Sequence, residues 1–82
     1  MVDVEQEEER ELTFGEKAVG LTFNPSGDSA VITTKKYYAN IIDDMHSLRS
    51  GAEDPEAKRL YSIAITEAQA AQMWAVKAIT WK

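Results

Sequence analysis

From Pro55 to the end of the chain, apolar residues return at steps of three and four, the signature of a helix. One stripe is Leu60, Ile63, Ala64, Ala71, Trp74 and Ala78, interrupted by Glu67. A second stripe is Tyr61, Ile65, Ala68, Gln72, Val76 and Ile79, with Met73 beside the two. Asp54-Pro55 supplies a cap and a first-turn proline, so the pattern predicts a helix from Pro55 to about Thr80. At 1.5 Å per residue that helix is roughly 39 Å long. A helix with one partner needs one apolar face. Two apolar faces, with Ala64, Ala68, Ala71, Ala75 and Ala78 keeping the surface thin, predict close approach by a second chain.

The preceding helix is placed at about Ser29 to Arg49, capped by Ser26 or Asp28. Its expected inner stripe is Val31, Thr34, Tyr38, Ile41, Ile42, Met45 and Leu48. Gly51 is its expected stop, within a turn at 50–53. Upstream, Thr13 and Glu16 stand three apart as in a capping box. A short turn of helix through Phe14, Ala18 and Val19 should end at Gly20. Between these helices, Leu21-Thr22-Phe23-Asn24-Pro25-Ser26-Gly27 reads as an ordered connector. Pro25 biases Asn24 away from helix, Gly27 permits a bend, and Phe23 is the one large aromatic anchor. The elements make an all-α fold: a short N-terminal helix and an antiparallel two-helix hairpin, assembled as a homo-oligomeric bundle.

Length sharpens the case for self-association. A lone domain of 82 residues buries little surface. Small chains regain the margin by disulfides, metals or assembly. With no cysteine and only His46, the first two remedies are closed within one chain.

The formal charge of −5 is uneven. Residues 1–12 hold five glutamates and one aspartate against Arg10 alone, and read as an acidic lead before a single domain at 13–82. The remainder is formally neutral. The basic residues of the last helix, Lys58, Arg59, Lys77 and Lys82, sit near its ends and form no recognition face for duplex DNA. No apolar run approaches a membrane span, and no secretory pattern is present. The expected location is the cytoplasm of the cell that makes the protein.

Three segments together resemble a known family: Gly15 through Asp28 (GEKAVGLTFNPSGD), Val31 through Asp43 (VITTKKYYANIID) and Ala64 through Trp81 (AITEAQAAQMWAVKAITW). The chain is similar to the phage anti-CBASS and anti-Thoeris sponges, and the Gln-Met-Trp-Ala-Val-Lys-Ala-Ile-Thr run is the most specific part of the likeness. The resemblance implies a homo-hexamer of helical hairpins acting in the cytoplasm of the infected bacterial host. Such proteins sequester cyclic dinucleotides, cyclic trinucleotides or cyclic ADP-ribose isomers and release them intact. It implies no catalytic residue, no cofactor and no metal, with pockets formed between chains. Carried over residue by residue, it points to Lys35 or its neighbour Lys36 as the lysine that meets ligand. It points to Phe23, with Asn24 beside it, as the base-stacking connector position, and to Arg59 and Thr66 as a second pocket.

The chemistry is coherent. Cyclic nucleotides ask for cations at phosphate, flat faces at bases and amides at base edges. Stacking a base on an aromatic ring is worth about 1–3 kcal/mol. Each residue also has a plainer reading. Lys35 and Lys36 suit a solvated helix surface, and Phe23 a hydrophobic plug at the hairpin end. Tyr38, Trp74 and Trp81 suit packing, and Arg59 suits a pair with Glu56 or Glu53. Asp43-Asp44-Met45-His46 reads as a solvated face rather than an acid–base centre. A hydrolase is disfavoured, because the chain has no cysteine nucleophile, no glycine-rich phosphate loop and a single histidine. The remaining alternative is a structural or scaffolding helical oligomer without a small ligand.

Overall fold

The computed structural model describes residues 10–82 of the chain. Among the described residues three helices follow one another: α1 (Phe14–Ala18), α2 (Ser29–Gly51) and α3 (Pro55–Ile79). Most of the acidic lead expected at 1–12 lies outside the described residues.

Each helix begins where a side chain can satisfy its free N–H groups. Thr13 Oγ1 accepts from Glu16 N at 3.0 Å while Thr13 N donates to Glu16 Oε1 at 2.9 Å, which completes the capping box. Asp28 Oδ1 accepts from Ala30 N at 2.8 Å, and Asp54 Oδ1 from Glu56 N at 2.9 Å. Arg10 reaches over α1 to pair with Glu16 at 2.9 Å. That guanidinium, with the Thr13 backbone N–H, holds the Glu16 carboxyl below its ordinary range.

Two glycines turn the chain between α1 and α2. Gly20 and Gly27 have φ of 62° and 70°, a region where a Cβ would clash with its own backbone. Gly51, expected as a stop, is instead the last residue of α2. Ala52 ends that helix by turning extended, so no left-handed residue is needed there. Residues 52–54 then reverse the chain, and α3 runs back along α2 as an antiparallel hairpin.

α1 and the start of the connector form a strap across the hairpin. Val19 and Leu21 of the strap, Ala39 and Ile42 of α2, and Ile65 of α3 make one buried cluster. Ala18, Ile32, Tyr38, Met45 and Ala68 pack around it. Ile42 is wholly buried, and a side chain of that size contributes about 1.5–3 kcal/mol on leaving water. The strap therefore supplies part of the core that a two-helix hairpin lacks.

The inner face of α2 differs from the stripe expected from sequence. Val31, Lys35, Ala39 and Ile42 are buried, whereas Ile41 and Leu48 are exposed and Thr34, Tyr38 and Met45 only half-buried. The face is set jointly by α3 and the strap, and the strap brings carbonyls that a lysine can serve. On α3 the second stripe turns inward, with Ile65 and Gln72 buried. The first stripe is left open: Leu60, Ile63 and Trp74 are exposed, and Met73 beside it also. Among the described residues no helix is long and apolar enough to cross a membrane.

Candidate functional site

Gly20 closes α1 by donating its N–H to Lys17 O at 3.1 Å, and its own carbonyl accepts from Phe23 N at 2.9 Å. This small turn brings the carbonyls of Gly20 and Phe23 together over α2. Asp28 caps α2 at the far end of the connector, so both ends of the segment are fixed.

Lys35 rises from the buried face of α2 into this turn. Its ammonium donates to Gly20 O at 2.9 Å and also to Phe23 O. Nζ also lies 5.6 Å from the centroid of the Phe23 ring, within cation–π range. Only 5% of the residue is exposed. A charge so enclosed is tolerable where it is hydrogen-bonded, and here two carbonyl dipoles and a ring face meet it. Lys35 is thus no solvated surface lysine, while Lys36, one residue on, is exposed.

Phe23 itself is 71% exposed, so it does not plug the hairpin. Its backbone is anchored and its ring is open. Asn24 is half-buried and occupied locally. Its Nδ2 donates to Asp28 O at 3.1 Å, and its Oδ1 accepts from Ser26 Oγ at 2.9 Å. The fold thus gathers Phe23, Asn24 and Lys35 at one place, while Lys36, the next residue of α2, is turned to solvent.

Arg59 and Thr66 stand on α3, the other arm of the hairpin. Arg59 lies four residues into α3, near the hairpin turn, and both residues are exposed. From a rise of 1.5 Å per residue, Arg59 sits about 18 Å below the height of Lys35 within one chain. Its guanidinium pairs with Glu56 at 2.7 Å, a contact that raises the Arg59 pKa and lowers that of Glu56. Exposed pairs of this kind add little to stability.

A second polar cluster corrects the reading of Asp43 to His46 as a bare solvated face. Asp43 Oδ1 accepts from Gly15 N at 2.7 Å, pinning the first turn of α1 to α2. The His46 ring stacks on Phe14 with centroids 4.1 Å apart and planes 8° apart. Arg49 donates to His46 Nδ1 at 3.0 Å and to Ser62 Oγ at 2.9 Å. Guanidinium can only donate, so this contact needs the neutral imidazole with its proton on Nε2. The cluster fastens the strap to the hairpin. Gly15, a glycine just inside a capped helix, is the one feature of the sequence that could have pointed to it, since it permits close approach of another backbone. Among the described residues no group of His, Asp and Glu is arranged to hold a metal ion.

Fold and site together define a small helical hairpin domain that carries, on a strapped connector, an open aromatic ring over a buried cation. Residues 16–80 match the family model described as Acb2/Tad1, hairpin domain. The chain belongs to this family, the phage anti-CBASS/anti-Thoeris cyclic-nucleotide sponges, which are binding proteins of phage anti-defence. No curated protein and no solved structure matches the chain.

Proposed function

We propose that the protein sequesters a cyclic nucleotide immune signal, cyclic dinucleotides first among them, and releases it uncleaved. The protein then keeps the signal from its effector in the cytoplasm of the infected host. The observation that carries the reading is the exposed Phe23 ring held above the buried Lys35 ammonium in a chain of this family. An open ring on a fixed backbone is a ready stacking surface for a base. Asn24 shapes the turn beside it, and Lys36 supplies an accessible charge for phosphate. Arg59 and Thr66 belong to a second pocket on α3.

The sites are completed between copies in a homo-oligomer, a hexamer by family likeness. Support for assembly comes from the open stripe of α3, where Leu60, Ile63 and Trp74 offer apolar surface that this chain alone does not cover. Small ligands with two-fold pseudosymmetry suit the two-fold interfaces of such assemblies.

Calorimetry with a panel of cyclic nucleotides tests the proposal. At least one cyclic dinucleotide should bind with sub-micromolar affinity and be recovered unaltered after heat denaturation of the complex. Recovery of a cleaved product would mark a hydrolase. Absence of binding across the panel would leave a structural oligomer as the better account.

A further inference from the structure

We infer that Lys35 acts on ligand capture as a positioning residue, by holding the connector in its binding shape before any ligand arrives. The inference rests on the proposed function and deepens it.

The ammonium is one of the points where the strap and the hairpin meet. It has three N–H donors, and two of them are taken by Gly20 O and Phe23 O within the same chain. These two carbonyls flank the turn that carries the Phe23 ring. Leu21, between them, is buried in the core, and Phe23 N closes the turn back onto Gly20 O at 2.9 Å. Beyond Phe23 the connector is exposed at Pro25, Ser26 and Gly27 and held mainly by its own short-range bonds. Lys35 is therefore the tie that joins the Phe23 backbone to α2. A ligand phosphate that drew Lys35 fully to itself would have to strip both carbonyls from the ammonium, in a site where the residue is 5% exposed.

A tie of this kind has a kinetic signature. If only a fraction of molecules holds the connector ready, apparent affinity falls in proportion to that fraction. Loss of the tie lowers the ready fraction and so the rate of capture. Once ligand is seated, it holds the ring itself, and its rate of escape is unchanged. A direct phosphate contact has the opposite signature, since its loss speeds escape.

The test compares the full chain with Lys35→Met, which keeps the length of the side chain and removes its donors. A fluorescent cyclic dinucleotide is followed by stopped flow, and backbone amide exchange is measured on the free proteins. The expected result is a fall in association rate of roughly ten-fold with an unchanged dissociation rate. Exchange should quicken at Phe23 and Gly27 while the middle of α2 and α3 keeps its protection. Gly20→Ala keeps the lysine but strains the turn whose carbonyl it holds, and should reproduce the association defect if Lys35→Met does not fold. A faster dissociation with unaltered connector exchange would overturn the inference and make Lys35 a direct ligand contact. If the unsubstituted protein binds no cyclic nucleotide, the functional reading fails, and the exchange experiment still decides whether Lys35 ties the connector.

Discussion

Gly15 shows how far one missing side chain shapes this molecule. A Cβ built there would lie 2.1 Å from the carbonyl oxygen of Ala39 and 3.0 Å from Asp43 Cγ. The Ala39 carbonyl belongs to helix backbone and cannot step aside. Gly15→Ala should therefore lift α1 from α2 and break the 2.7 Å bond from Gly15 N to Asp43. Overpacking of this kind costs about 1–3 kcal/mol. A thermal melt should fall accordingly, and amide exchange should quicken in α1 while the hairpin stays protected. An unchanged melt would mean the strap is not bound as tightly as this contact requires. Glycine's role is plain once the partner backbone is known, but the sequence names no partner. For the same reason Asp43 and His46 read as solvated face: acidic and basic residues on an amphipathic helix give no sign that a strap from 28 residues upstream will lie over them.

At the level of elements, starts are written more clearly than faces. Thr13, Asp28 and Asp54 all cap helices, and each was visible because capping depends on residues two or three apart. Asp54→Ala should cost about 1 kcal/mol. For a domain of this size that is a fall in melting temperature of roughly 4–8 °C, measurable by circular dichroism. The inner face of α2 was less legible. Ile41 and Leu48 were expected inside and stand outside, while Lys35 and Ala39 take inner places. Hydrophobic periodicity ranks a lysine as polar and so as outer. It has no means of anticipating two backbone carbonyls delivered by a distant turn. Within the candidate site, residue type was therefore readable at Phe23 and Lys35, but the contact between them was not.

On the scale of the whole molecule, the hairpin is sided. Ile65 and Gln72 of α3 face α2 and the strap, whereas Leu60, Ile63 and Trp74 remain open on the other stripe. The two stripes were legible because helical spacing separates them; which one faces inward needed the structure. Assembly of copies through the open stripe would give a sedimenting mass that is a multiple of the 9.2 kDa chain. Ile63→Glu places a charge on that stripe, far from the connector, and should shift the protein to a smaller species without loss of helix content. A single monomeric species for the unsubstituted chain at micromolar concentration would rule out the open stripe as an assembly face.

The strap also sets an order of events during synthesis. Its segment leaves the ribosome before α2 and α3, yet Gly15 needs Asp43, Lys35 must reach back to Gly20 and Phe23, and Val19 and Leu21 share a core with Ile65. The part of the chain that holds the Phe23 ring is thus made before the helices that place it. A nascent chain halted before α2 would have the ring but no floor to set it on.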